Sequence, residues 1–77
     1  MKVLYFIDGD HTSSGVQRDW AYIKPRVKTG DVVVFHDALG ETPVTRMVDR
    51  ILGPEGAPFE GEWIRIDRGL GVVWLPS

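Results

Sequence analysis

The chain alternates short continuous runs of apolar residues with longer stretches in which apolar residues recur at helical spacing. Residues 3–7 (VLYFI) and 32–35 (VVVF) are continuous runs rich in β-branched and aromatic side chains, which is typical of strands that are buried on both faces in a parallel sheet. Between them, Ser14 and Gln17 have capping-box spacing, and they predict a helix that begins near Ser14 and ends before Pro25. The strand–helix–strand order predicts two parallel neighbours joined by a right-handed crossover.

The second half of the chain predicts one more helix and a closing pair of strands. Thr42 as N-cap and Pro43 at the first helical position begin a helix with one apolar face, which ends near Gly53. Residues 59–67 and 70–75 predict two strands, and the short connection between them makes them antiparallel. We therefore expect one α/β domain spanning all 77 residues, with the order β-α-β-α-β-β and a four-stranded mixed sheet.

The three tryptophans are predicted to have different surroundings. Trp20 belongs to the apolar face of the first helix and Trp74 to an apolar strand, so we expect both in the core. Trp63 shares its strand face with Arg65 and Asp67, and that pattern predicts a place at an interface.

Composition narrows the classes of partner and compartment. Nine basic residues stand against eleven acidic ones with no lysine or arginine run, which argues against nucleic acid and anionic membranes as partners. The chain has no cysteine, so a domain this small is expected to gain stability from oligomerisation or from a partner and not from disulfides. The first apolar run is too short for a signal peptide or a membrane span, and we expect a cytoplasmic protein.

Acidic and imidazole side chains follow both predicted parallel strands. Asp8, Asp10 and His11 come directly after the first predicted strand, and His36 and Asp37 come directly after the second. Ligands of open α/β sheets bind beyond the carboxyl ends of the strands, so both groups should face one crevice. They could hold a hard divalent cation or supply a general base. The alternative is that Asp8 and Asp10 shape a turn and that His36 simply packs.

Several segments together resemble one family of enzymes. Residues 6–11 (FIDGDH), 15–16 (GV), 19–20 (DW) and 30–37 (GDVVVFHD) are similar to S-adenosylmethionine-dependent O-methyltransferases, in the branch of macrocin O-methyltransferase-like and related small-molecule enzymes. The resemblance covers essentially the whole chain and matches it to the family fold from its fourth strand through its seventh. It implies the C-terminal half of a class I methyltransferase Rossmann-like fold, with a C-terminal antiparallel hairpin.

The resemblance also implies roles for the residues at the strand ends. Asp8 or Asp10 together with Asp37 would bind magnesium, with His36 as a possible further ligand, and His11 would be the candidate base. These roles would be vestigial if the chain is inactive.

The glycine-rich turn with which the family binds S-adenosylmethionine has no counterpart in this chain. Gly69 and Gly71 lie in the predicted hairpin and precede no helix. We therefore expect no cofactor on the isolated chain and no catalysis by it. Magnesium and S-adenosylmethionine are expected only if a second chain completes the site.

The implied fold leaves part of the sheet uncovered. Both helices would lie on one face of the sheet, because helices of the missing half cover the other face in the family. The bare face, or the unpaired edge of the strand Val3–Ile7, predicts a homodimer or another protein as partner.

Three functions remain open. The first is a truncated methyltransferase-like protein, from a phage or another bacterial mobile element, that acts through self-association or protein–protein interaction. The second is a metal-dependent O-methyltransferase that is active only when a second chain completes it. The third is a small haloacid-dehalogenase-like phosphatase, because residues 8–12 (DGDHT) fit a DxDxT signature with Asp8 as nucleophile and Asp10 as acid/base. The further lysine and acidic pair that such enzymes need have little room in this chain.

Overall fold

The computed structural model confirms the predicted order of strands and helices. It describes residues 2–7, 12–36, 42–66 and 69–76. Short 3-10 turns follow each helix, at Lys24–Arg26 and Pro54–Gly56. The regular elements are β1 (Leu4–Ile7), α1 (Ser13–Ile23), β2 (Val32–His36), α2 (Pro43–Leu52), β3 (Glu60–Ile64) and β4 (Leu70–Trp74).

The four strands form one mixed sheet in the order β1-β2-β4-β3. β1 and β2 are parallel, with Leu4 opposite Val32 and Ile7 opposite Phe35, as the strand–helix–strand pattern predicts. β4 is antiparallel to both β2 and β3. The hairpin therefore inserts its second strand between β2 and its first strand.

Threonines cap the beginnings of both helices. Thr42 accepts a hydrogen bond from the Thr45 N–H at 3.0 Å, and Pro43 is the first helical residue, which confirms the prediction for α2. α1 begins at Ser13, close to the predicted start near Ser14, but its N-cap is not Ser14, because Thr12 has extended backbone and its hydroxyl accepts the Gly15 N–H at 3.0 Å. The cap therefore lies two residues before Ser14.

The core lies between the two helices and one face of the sheet. Trp20 of α1 packs against Phe35 of β2, with ring centroids 5.8 Å apart, and edge-on against Phe59 at 5.0 Å. α2 rests on the same face, since Val48 lies directly over Gly71 of β4. Both helices thus cover the same side of the sheet, as expected. The buried apolar residues are Ile7, Val16, Trp20, Val27, Val33, Phe35, Val44, Met47, Val48, Ile51, Phe59 and Val73.

A buried carboxylate joins the start of β1 to the turn before β2. Asp31 is 2% exposed and accepts backbone hydrogen bonds from Lys28 N–H and Val3 N–H, each at 2.9 Å. These two donors, Lys28 first, hold the pKa of Asp31 below its ordinary value of 3.8. The carboxylate therefore helps to fix β1 beside β2.

Neither described helix is long and apolar enough to cross a membrane.

Candidate functional site

The carboxyl ends of the two parallel strands lie side by side. Ile7 ends β1 and is paired with Phe35, one residue before the end of β2. Any residues that directly follow these strands begin at one edge of the sheet. The predicted site residues Asp8, Asp10, His11 and Asp37 lie outside the described residues.

His36 is the one predicted site residue that the structure describes. It is half-buried at the end of β2, opposite Leu70 of β4. Its ring lies beside that of Phe6, with centroids 6.2 Å apart and planes tilted by 33°. Within the described ranges, no group of three or more histidines and carboxylates could hold a metal ion. The magnesium site thus stays a prediction from the sequence.

The side of the sheet that faces away from the helices carries a continuous set of mostly apolar side chains. We call it the open face. The outward position follows from strand alternation, since the neighbours of these residues along each strand face the core. No helix of the described part covers it. Its members are Leu4 and Phe6 of β1, Val32, Val34 and His36 of β2, Leu70, Val72 and Trp74 of β4, and Glu60, Glu62 and Ile64 of β3.

Among the apolar side chains of the open face, exposure is greatest at the β1 margin. Leu4 is 68% exposed and Phe6 is 56% exposed. The expectation that residues 3–7 form a strand buried on both faces was therefore wrong for this strand, because α1 and α2 cover only the other side. The strand is apolar on both faces, although no described element covers its outer face.

The prediction that Trp74 lies in the core was wrong. Trp74 is half-buried on the open face opposite Val32 and does not join the core. Trp63 is partly buried against the core, opposite Gly71, and its place at an interface stays a prediction. The signal that could have placed Trp63 inward is its alternation with the exposed Glu62.

The charges on and beside the open face are distributed unevenly. Glu60 and Glu62 are exposed along β3, which forms one margin of the sheet. Lys2 is exposed just before β1, at the opposite margin, and its side chain lies close to Gly30. The open face is therefore apolar in the middle, acidic on one side and basic at a corner of the other side.

A shallow groove of about 300 Å³ lies elsewhere, between α1, α2 and the turn after α2. Trp20, Met47 and Phe59 contribute to its apolar lining, and Lys24 and Arg50 also line it. Arg50 lies 3.5 Å from the Glu55 carboxylate, and both side chains are exposed. Among the described residues, neither Ile7 nor His36 at the strand ends lines this groove.

Comparison with known proteins bears on the segment that includes the two parallel strands. Residues 3–38 match the family model described as a methyltransferase domain. The matched segment includes β1, α1, β2 and the sequence positions of Asp8, Asp10, His11 and Asp37. The chain matches no curated protein. The resemblance to a methyltransferase domain is thus supported over these residues, and it covers the segment on which the phosphatase alternative depends.

Proposed function

We propose that this methyltransferase-like unit acts by associating with protein through its open face. The observation that carries the proposal is the exposure of Leu4 and Phe6 on a sheet face whose middle is apolar. Monomeric soluble proteins rarely expose contiguous apolar patches beyond a few hundred Å². Full burial of a leucine or phenylalanine side chain contributes about 1.5–3 kcal/mol, so covering this margin would supply a substantial part of a binding free energy.

The edge of β1 is a second possible contact. Among the described residues β1 pairs with β2 alone, so the other side of the strand offers unpaired backbone groups. The strand has four residues, and a short edge gives strand addition few hydrogen bonds. The edge of β1 could form only a few hydrogen bonds, whereas the open face carries apolar side chains on all four strands. We therefore propose the open face as the contact surface.

Size-exclusion chromatography with light scattering tests this association over a range of protein concentrations. We expect the wild type to exceed 8.7 kDa with rising concentration, because a second molecule covers the open face. Phe6→Glu should remain at the monomer mass, because it places a carboxylate in the middle of the buried margin. Tyr22→Glu is the matched control, since Tyr22 is 64% exposed on α1, and it should associate as the wild type does.

Two outcomes would overturn the proposal. One is a wild type that stays at the monomer mass and binds no dye specific for exposed apolar surface. The other is a Phe6→Glu chain that associates as strongly as the wild type. Circular dichroism of each variant verifies that the comparison is made between folded chains.

A second candidate function is a metal-dependent O-methyltransferase completed by another chain. The parallel pairing of β1 and β2 supports it, because Asp8 and Asp37 each follow directly after one of these neighbouring strands. The family match over residues 3–38 supports it as well. In this proposal Asp8, Asp10 and Asp37 would hold Mg²⁺, and His11 would accept the proton of a substrate hydroxyl.

Calorimetry on the purified chain separates the association function from an enzyme whose site is completed by a second copy of the same chain. If the chain acts only by association, the purified protein should bind neither Mg²⁺ nor S-adenosylmethionine. Micromolar binding of S-adenosylmethionine would favour the enzyme. So would Mg²⁺ binding that is lost in Asp37→Asn and kept in the control Asp19→Asn, which changes a carboxylate on α1.

A further inference from the structure

We infer that the groove between α1 and α2 is a binding site for a small ligand that has a flat apolar body and a carboxylate. The inference goes beyond the proposed association, because the groove lies on the helical side of the sheet and the open face lies on the other side. The observation that carries it is an aromatic floor between two walls that each bear a cation.

The floor of the groove is apolar and already ordered by the core. Trp20 and Phe59 both line the groove and meet edge to face, with ring centroids 5.0 Å apart. Met47 and Ile51 of α2 add aliphatic lining. Each of these four side chains is at most 9% exposed, so close packing holds it in place before a ligand arrives. A flat apolar ligand therefore gains contacts here without the cost of ordering the protein.

The turn after α2 closes one end of the groove and limits its size. A Cβ at Gly56 would overlap the backbone of Ile51, so glycine lets the turn lie against the end of α2. The Phe59 N–H donates to the Gly56 carbonyl at 3.0 Å, which ties Phe59 to this turn. The volume of about 300 Å³ lies at the lower limit of small-molecule sites, which span about 300–1,000 Å³. It fits a fused pair of rings, whereas a docked peptide helix needs a groove that extends over several turns.

The charges at the rim favour an anion. Lys24 lies on the α1 wall and Arg50 on the α2 wall, and both residues are exposed. Glu55 is the carboxylate among the described lining residues, and its Oε2 lies 3.5 Å from Arg50 Nε. The rim thus carries an excess of positive charge in a chain whose formal net charge is −2. Because Arg50 already faces a carboxylate, we assign the carboxylate of the ligand to Lys24.

An NMR titration with naphthoate tests the site, and the neutral naphthamide serves as the comparison ligand. We expect saturable shifts of the amide signals of Ala21, Lys24 and Glu55. The dissociation constant should be on the order of 1 mM, because the ligand has few atoms and the groove is shallow. Naphthamide should bind about two- to fivefold more weakly, since it lacks the exposed ion pair with Lys24.

Variants of the lining residues separate the charge from the shape of the groove. Lys24→Gln should remove the preference for naphthoate over naphthamide, which a merely structural disturbance of the groove would not do. Lys28→Gln removes the same charge at an exposed position outside the groove and should keep the preference. Ala21→Trp should weaken the binding of both ligands at least about tenfold, because it fills the groove from an exposed position of α1. Tyr22→Trp, at the next residue and outside the lining, should bind as the wild type does.

Each way in which the inference can fail has its own result. Shifts confined to Leu4, Val34 and Val72, or binding that Phe6→Glu weakens, would place the ligand on the open face and overturn the groove as its site. Equal binding of naphthoate and naphthamide by the wild type would overturn the carboxylate as the recognised group. An acidic aromatic peptide that binds at least about tenfold more tightly than naphthoate would replace the small ligand with a protein segment.

The absence of saturable shifts up to about 10 mM ligand would overturn the site altogether. That result would leave the proposed association intact, because association is measured on the wild type without ligand and depends on Phe6. Circular dichroism of each variant verifies that binding is compared between folded chains.

Discussion

Among the described residues, Asp31 is the buried charged side chain. It accepts hydrogen bonds from two segments that are far apart in sequence. Its carboxylate accepts the N–H of Lys28 within its own turn and the N–H of Val3 at the start of β1. The ionised form is the better acceptor, so these hydrogen bonds lower the pKa of Asp31. A group with a lowered folded pKa stabilises the fold above its unfolded pKa, and that stabilisation is lost as the pH falls through the folded value.

Replacing the carboxylate should therefore remove a pH-dependent part of the stability. We expect Asp31→Asn to lower the free energy of unfolding at pH 7, because an amide offers one acceptor oxygen where two donors converge. The difference from the wild type should shrink as the pH falls below the ordinary value of 3.8. Urea unfolding from pH 7 to about pH 2 measures it. Asp49→Asn, on an exposed position of α2, should show no such difference, and equal curves for both variants would contradict this role for Asp31.

Local sequence predicts which candidate residues follow the strands, but it does not predict their contacts with distant residues. The pattern of the strands predicts which residues follow β1 and β2, so Asp8, Asp10, His11, His36 and Asp37 could be singled out from the sequence. The contact between His36 and Phe6 could not, because it depends on the register of two strands. The same holds for Asp31, whose bond to Val3 spans 28 residues.

Elements with strong local signals were predicted well. The apolar repeat, Thr42 and Pro43 predicted α2. The start of α1 was predicted to within one residue, but its N-cap was placed at Ser14 instead of Thr12, because two cap patterns overlap within two residues. The order of the hairpin strands has no local signal, because β3 and β4 have similar lengths. Long-range packing decides it, and Gly71 on β4 permits that packing.

Gly71 is the residue that lets α2 approach β4 closely. A Cβ at this position would lie 2.9 Å from Val48 Cγ2 and 3.0 Å from Val48 Cγ1. Gly71→Ala should therefore destabilise the fold by about 1–3 kcal/mol through overpacking. Chemical denaturation measures the change.

Val48→Ala provides the matched test of that mechanism. It removes both crowded methyl groups, so the double variant should lose less stability than the sum of the two single variants. Additive losses would mean that crowding against Val48 is not the reason for the glycine.

At the scale of the whole molecule, the sheet has one covered face and one open face. The methyltransferase resemblance predicted this asymmetry, and the core confirms it, since both helices pack on the side of Phe35 and Val73. The apolar pattern of β1 alone predicted the opposite, because a strand with apolar residues on both sides is expected to be buried on both. The apolar pattern of a strand predicts which of its faces are buried. It does not predict which element or partner covers each face.

The measurement closest to the central claim is a dilution series followed by methyl and amide NMR. If the open face is the association surface, signals of Leu4, Val34 and Val72 should shift with concentration, and those of Val16 and Val48 in the core should not. Phe6→Glu should abolish the shifts. Concentration-dependent shifts confined to the exposed surface of α1 or α2, with an unchanged open face, would contradict the account.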